Sequence, residues 1–172
     1  MSKTKLEYEQ KTLLEMVYMH ECGHALMAAL LNISIQKIDM NTGNNDFPAT
    51  HVDPTAFNSL AIPDKINFYM AGYAAEEIYV GLVSKDESHF AYPYARSIFN
   101  QTSISNAKID IDKVKKLLEL EASDFLDIEP YGKLAVTILA KYRLQLGKLF
   151  VALVKSNGEL GGKQILSITS TS

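Results

Sequence analysis

Hydrophobic residues recur with helical spacing along most of this chain. The spacing predicts five helices, over Lys11–Leu31, Asp64–Val80, a segment from Ser84 to Phe99 disturbed at Pro93, Asp110–Leu120, and Leu134–Val154. Gly81 is predicted to end the second helix, because glycine is a common helix terminator. Gly158, Gly161 and Gly162 are predicted to mark the end of ordered helix packing.

Two short segments between the first two helices have a β pattern. Ile33–Met40 alternates between apolar and polar residues, which is typical of a half-buried strand. The Asn- and Gly-rich segment Asn41–Asp46 predicts a turn, after which Ala49–Val52 could return as a second strand that stops at Pro54. The predicted fold class is therefore mainly α, with one small β element near residues 33–52.

Length and composition indicate one ordinary globular domain. The 172 residues are enough for a sizeable core, and 47% hydrophobic with 22% charged residues is typical of soluble proteins. We expect a single domain over residues 1–172 with its core at 12–168, a flexible polar N-terminus and a flexible Ser/Thr tail. Cys22, the single cysteine, excludes an internal disulfide and is interpreted as a buried packing residue.

Several classes of function are disfavoured by what the sequence lacks. A net charge of -3 without a basic cluster gives no reason to expect a nucleic-acid partner. Met1–Lys11 is polar and has no signal-peptide core, and no run of 18 apolar residues predicts a membrane span. No glycine-rich phosphate loop is present, so a nucleotide motor is not predicted. We therefore expect a cytoplasmic protein.

The segment His20-Glu21-Cys22-Gly23-His24 carries the candidate chemistry. On a helix, residues four apart share a face, so both imidazoles can bind one zinc ion, while Glu21 lies beside the open coordination position as general base. Gly23 would let another backbone approach closely. The alternative interpretation is a pair of buried, hydrogen-bonded and inert histidines. The motif favours a zinc hydrolase.

Three segments resemble the protease domain of FtsH-type ATP-dependent zinc metalloproteases. Leu14–Leu26 is similar to the family's signature helix, Met70–Gly81 to its G-G-R-A-A-E-E helix, and Leu153–Gly162, more weakly, to its closing element. The similarity spans most of residues 12–168. It implies a helical zinc metalloendopeptidase domain that hydrolyses unfolded or flexible polypeptides.

The chain also departs from this family. Family members carry a membrane anchor and an AAA ATPase module, and neither is found in this sequence. The resemblance therefore implies a substrate that is short, flexible or already unfolded, unless a separate ATPase partner supplies it. Because the family forms hexameric rings, a homo-oligomer is a possible assembly.

The resemblance also implies a third zinc ligand, an aspartate at the start of the helix after the second matching segment. Asp86 is the predicted ligand, because Ser84-Lys85-Asp86 keeps the family's Ser-x-Asp order. Glu87 is an alternative by counting back from Ala95-Arg96, although it would also complete a capping box with Ser84. His89 is a second alternative of suitable chemistry.

Other polar and aromatic residues are given structural interpretations. In this resemblance Glu76 and Glu77 brace the site, supporting a ligand imidazole rather than binding metal. His51 is interpreted as a solvated surface histidine. Four aspartates are interpreted as helix-start and turn carboxylates, and four tyrosines as core residues: Asp110, Asp112, Asp124, Asp127, Tyr18, Tyr69, Tyr73 and Tyr79.

Three functions follow from these expectations. The first is peptide hydrolysis, with an extended substrate added as a strand beside Ile33–Met40. The second is a non-proteolytic metal-binding or scaffold domain of the same descent, suggested by the shortened segment around Asp86. The third is a zinc hydrolase that acts on a small amide. Cleavage of unfolded casein, with and without chelator, separates the first two.

Overall fold

The fold was taken from a computed structural model, which describes residues 3–41, 48–84, 106–119 and 128–170. These residues form seven helices and three strands, in the order α1 (Lys3–Leu30), β1 (Ile35–Asp39), β2 (Ala49–Val52), α2 (Pro54–Asn58), α3 (Ile62–Ser84), α4 (Asn106–Leu117), α5 (Glu129–Ala140), α6 (Arg143–Lys155), β3 (Glu159–Gly161) and α7 (Gly162–Thr169). The predicted fold class is confirmed: the protein is mainly helical, with a small antiparallel sheet.

The two longest helices, α1 and α3, pack against each other and form the centre of the core. Their facing surfaces carry small residues, and Cys22, Ala71 and Ala75 are fully buried there. Gly23 of α1 has the predicted role: a Cβ atom at this position would collide with the carbonyl oxygen of Ala71 and lie 2.7 Å from the Ala75 Cβ. The absence of a side chain at Gly23 therefore lets the two helices approach closely.

The remaining helices surround this pair. Helices α4 and α5 pack on α3, while α6 packs on α1 and α7 on β1. The buried side chains form one continuous hydrophobic cluster, to which the fully buried Leu139, Leu146, Leu149 and Leu153 contribute from α5 and α6. Although α1 runs over 28 residues, neither it nor another helix in the described part of the chain is both long and apolar enough to cross a membrane.

The sheet has the strand order β2-β1-β3, with both pairs antiparallel. The predicted strands are confirmed, with β1 over Ile35–Asp39 and β2 over Ala49–Val52. The third strand was not predicted; Leu160 at its centre pairs with Ile38. Because β1 is the central strand, both of its edges are already paired, so the prediction that a substrate strand adds beside β1 is wrong.

Other differences from the prediction concern the helix ends. The predicted helix Leu134–Val154 is two helices, α5 and α6, because Tyr142 leaves the helical conformation at φ -114° and ψ 25°. Gly81 does not end α3; the only described glycine with the left-handed φ typical of a terminator is Gly158, at 91°. Gly158 closes α6, and β3 and the helix α7 follow it, so the predicted end of ordered helix packing there is wrong.

Some predictions fall outside the described residues. Of the helix predicted from Ser84 to Phe99, only Ser84 is among the described residues, and it is the last residue of α3. Most of the predicted turn, residues 42–46, also lies outside the described part.

Candidate metal centre

Helix α1 brings His20 and His24 together on its buried face, as the sequence predicted. The two residues are 1% and 5% exposed, and their Nε2 atoms lie 3.0 Å apart. The two rings meet edge to face, with centroids 4.7 Å apart. The four-residue spacing therefore does direct both imidazoles to one point.

A third side chain reaches the same point from α4. The Oδ2 atom of Asp110 lies 2.9 Å from Nε2 of His24 and 3.2 Å from Nε2 of His20. The interpretation of Asp110 as a helix-start or turn carboxylate is wrong: it is 7% exposed and lies inside α4. Asp86, the predicted third ligand, and its alternatives Glu87 and His89 lie outside the described residues, so that choice stays a prediction.

A sequence signal for Asp110 does exist, although it is weak. Asp110 lies four residues before Val114, which is fully buried, and seven before Leu117, which packs on the core. These positions share one face of α4. An aspartate on the apolar face of a helix is unusual, because buried carboxylates are rare unless they are paired. That placement could have singled out Asp110 from the other aspartates.

The outer nitrogen of each imidazole is fixed by a protein acceptor. Nδ1 of His20 donates to Oε1 of Glu76 at 2.7 Å, and Nδ1 of His24 donates to the backbone carbonyl of Phe68 at 2.9 Å. A carbonyl or carboxylate oxygen can only accept, so the ring proton of a neutral histidine lies on Nδ1. The Nε2 lone pairs then point at each other and at Asp110. The prediction that Glu76 supports an imidazole is confirmed.

Three acceptors therefore meet at one point. Two Nε2 lone pairs and the Asp110 oxygen face one another at about 3 Å, a separation that requires a cation among them. Ligand atoms about 2.1 Å from a tetrahedral zinc ion are roughly 3.4 Å apart, slightly more than the spacing found here. Among the described residues, His20, His24 and Asp110 form a buried group that could hold a metal ion.

The pKa values of His20 and Asp110 also show that positive charge is favoured at this site. Burial opposes the charged form of His20, but hydrogen bonds with Asp110 and Glu76 outweigh it and raise the pKa of His20 to about 10. Burial also opposes ionisation of Asp110, yet the charge at His24 and the hydrogen bonds of both histidines hold the pKa of Asp110 well below its usual range. A proton shared among these groups can therefore supply the positive charge, and a metal ion bound there would have to displace it.

Helix α3 also fixes the position of the His20 ring. A Cβ atom at Gly72 would lie 2.5 Å from Nε2 of His20, well inside the contact distance. Glu76, one turn further along α3, holds the opposite nitrogen of the same ring. Gly72 and Glu76 therefore determine where His20 lies and which way it points.

Glu21 is buried beside the two histidines, with 3% of its surface exposed. The hydroxyl oxygen of Thr50, on β2, lies 2.9 Å from Oε2 of Glu21 and 2.8 Å from the Glu21 backbone carbonyl. Thr50 thus ties the carboxylate of α1 to the sheet. No local pattern in the sequence predicts this contact, because it joins residues 29 positions apart.

An open cleft of about 280 Å³ leads to this group. His20, Glu21, His24 and Asp110 lie in it together with Pro48, Ala49, Thr50, Phe68, Ile109 and Lys113. Lys113 donates to Oδ1 of Asp110 at 3.0 Å, which leaves Oδ2 for the two histidines. Its ammonium also lies 4.9 Å from the centre of the Tyr69 ring. The candidate ligands and the carboxylate of Glu21 are thus reachable from one side.

The other residues singled out in the sequence lie around the core. Cys22 is fully buried, as predicted, and burial raises the pKa of its thiol. The four tyrosines interpreted as core residues are buried or pack against the core. His51 is half-buried on β2 and is not part of the metal group. Glu77 is buried on α3, away from the metal cleft.

The site has the donors of a His–His–Asp metal centre, with a glutamate beside the two histidines in the same cleft. The chain matches no protein-family model and no curated protein sequence.

Proposed function

We propose that this protein is a zinc metalloendopeptidase of the FtsH-protease type. The observation that carries the proposal is the convergence of the Nε2 atoms of His20 and His24 with Oδ2 of Asp110, where three acceptors require a cation. The resemblance of the surrounding segments to FtsH-type proteases supports the same assignment, since it implies two histidines and an aspartate as zinc ligands.

Zinc is the metal that best suits these donors. Two imidazoles and one carboxylate are the usual protein ligands of catalytic zinc, which keeps a fourth position open. Zinc bound there would act as a Lewis acid and lower the pKa of a water molecule toward neutrality. In this proposal Asp110 is the third ligand, because it already contacts both imidazoles.

Glu21 is the proposed general base. Its carboxylate lies in the cleft beside the histidines, and Thr50 fixes its Oε2 atom. Glu21 removes a proton from the attacking water and then delivers that proton to the nitrogen of the leaving amine as the peptide C–N bond breaks. The oxygen of the water remains on the new carboxyl group. Thr50 in this scheme keeps Glu21 in the orientation that the transfer requires.

The proposed substrate is an extended segment of an unfolded or flexible polypeptide. The cleft is open, and β2 borders it through Ala49 and Thr50. In the described part of the sheet β2 is an edge strand, so its outer edge can pair with an incoming backbone. Strand addition at β2 replaces the predicted addition at β1 and would present a peptide bond to the cleft.

Cleavage of unfolded casein by the purified protein tests this function. We expect cleavage that stops with a chelator and returns with added zinc, and that is lost in Glu21→Gln while zinc binding remains. If the protein binds zinc but neither casein nor short peptides are cleaved, the alternative stands: a non-proteolytic metal-binding or scaffold domain of the same descent.

A further inference from the structure

A second concavity lies between α3 and α5, and it shares no residue with the metal cleft. Its volume is about 860 Å³, which lies within the range of small-molecule sites. Tyr73 and Glu77 contribute from α3, while Gly132, Val136 and Ala140 are the apolar contributions of α5. We call this concavity the α3–α5 groove.

The floor of the groove carries a buried carboxylate without a full set of partners. Glu77 is only 4% exposed, and its Oε1 atom has no hydrogen-bond partner among the described residues. The adjacent Glu76 is bound to His20 at the metal centre. Successive side chains on a helix point about 100° apart, which places the two carboxylates on different sides of α3. Glu77 is therefore not used by the proposed peptidase.

The walls of the groove suit an apolar body. Gly132 lies so close to α3 that a Cβ there would be 3.1 Å from the Tyr73 ring. Val136 and Ala140 are half-buried along the same side of α5. At the rim, Lys133 pairs with Glu129 at 2.6 Å, and Lys141 also lines the groove. The groove thus has an apolar wall, a charged rim and an acidic floor.

The charge at the floor favours a cation. Burial is the main cause that raises the pKa of Glu77 to about 7, and the negative charge of Glu76 raises it further, against an opposing hydrogen bond from Tyr73. The Oε1 atom of an ionised Glu77 has no hydrogen-bond partner among the described residues, and a ligand cation would supply one. A metal ion would need several ligands, and no second group of metal-binding side chains occurs among the described residues.

We propose that the α3–α5 groove binds a small apolar molecule that carries a primary ammonium group. The ammonium pairs with the Glu77 carboxylate at the floor. The apolar part of the ligand packs against Gly132, Val136 and Ala140. This site is independent of the metal centre and of the peptidase proposal.

The full chain can be tested with 2-phenylethylamine as the probe and 2-phenylethanol as the matched uncharged control, at pH 8. We expect saturable one-to-one binding of the amine, measured by calorimetry. Amide NMR signals of Gly132, Val136 and Ala140 should shift, while those of His20 and His24 remain in place. The alcohol should bind at least about tenfold more weakly, because it cannot form the ion pair.

Two variants locate the interaction. Glu77→Gln should weaken amine binding at least about tenfold, whereas Glu159→Gln, at an exposed position on β3, should leave it unchanged. Ala140→Phe fills the groove and should abolish binding, and this variant decides the matter if Glu77→Gln does not fold. The proposal is overturned if the amine gives no saturable shifts at the groove, if amine and alcohol bind equally, or if neither groove variant weakens binding.

Discussion

At the residue scale, the metal group depends on where each histidine places its single ring proton. Glu76 and the Phe68 carbonyl accept from the two Nδ1 atoms, which leaves both Nε2 lone pairs directed at Asp110. Such outer partners fix the tautomer and orientation of a metal-binding imidazole. Two lone pairs and a carboxylate oxygen therefore face one another, and this arrangement is stable only with a cation between them.

The roles of the motif residues can be separated by substitution. His20→Ala and His24→Ala should each abolish zinc binding, because each removes one of three ligands, while Glu21→Gln should bind about one zinc ion per chain. Metal analysis after zinc reconstitution measures the zinc content of all three variants. Zinc retained at full stoichiometry in both histidine variants would show that the ion binds elsewhere.

Asp110 can be compared with its neighbour on the same helix. Asp110→Ala should weaken zinc affinity more than the about 10–100-fold loss that follows removal of an outer partner, since it deletes a ligand. Asp112→Ala, at an exposed position of α4, is the matched control and should keep wild-type affinity. If Asp86→Ala removes the metal and Asp110→Ala does not, the third ligand is the one predicted from the resemblance.

Glu77 should give the folding stability a distinct pH dependence. Its pKa is raised by burial to about 7 in the folded protein, against an ordinary value of 4.5, so the folded state binds the proton more tightly than the unfolded state. Protonated Glu77 therefore contributes to the free energy of unfolding below about pH 4.5. This contribution, on the order of 3 kcal/mol in total, is lost as the pH rises through about 7.

Denaturant unfolding of wild type and Glu77→Gln at a series of pH values measures this contribution. The variant should lose less stability than wild type between about pH 4.5 and 8, and Glu159→Gln should follow wild type. Parallel curves for wild type and Glu77→Gln would mean that Glu77 has an ordinary pKa in the folded protein.

At the element scale, close packing of α3 on α1 positions the site. Gly72 leaves room for the His20 ring, and Gly23 leaves room for the backbone of α3. Both glycines lie inside helices, where glycine is unfavourable by itself. The cost in helix stability is offset by the close packing of α1 against α3, which no larger residue at these positions allows.

Two glycine-to-alanine substitutions separate the effect of close packing from the intrinsic helix preference of alanine over glycine. Gly72→Ala should weaken zinc affinity at least about tenfold, because its Cβ would overlap the His20 ring. Gly147→Ala, in α6 with no atom within 4 Å of the new Cβ, should stabilise the fold by about 0.5–1 kcal/mol and leave zinc affinity unchanged. Zinc titration and thermal melts distinguish the two. Equal zinc affinities for Gly72→Ala and wild type would contradict the positioning role of α3.

Local patterns predicted the elements whose signals lie within one segment. The helix with the two histidines and the strands β1 and β2 were found in this way, because alternation and four-residue spacing are local properties. The break between α5 and α6 was missed, since Lys141 and Tyr142 are neither glycine nor proline and the apolar spacing continues across them. The strand β3, only three residues long, is too short to show a pattern.

At the scale of the whole molecule, the site joins parts of the chain that are far apart in sequence. Asp110 meets His24 across 86 positions, and Glu76 meets His20 across 56. No spacing rule covers such distances, which is why the sequence analysis grouped His20, Glu21 and His24 but placed neither Asp110 nor Thr50 beside them. A bound metal would link α1 directly to α4 and, through Glu76, to α3.

We propose that His20, His24 and Asp110 together bind one metal ion. Anomalous diffraction at the zinc absorption edge, from crystals grown with zinc, tests it most directly. We predict a single strong peak about 2.0–2.2 Å from Nε2 of both histidines and from an oxygen of Asp110. A peak bound by other side chains, or no peak among these three, would contradict the account.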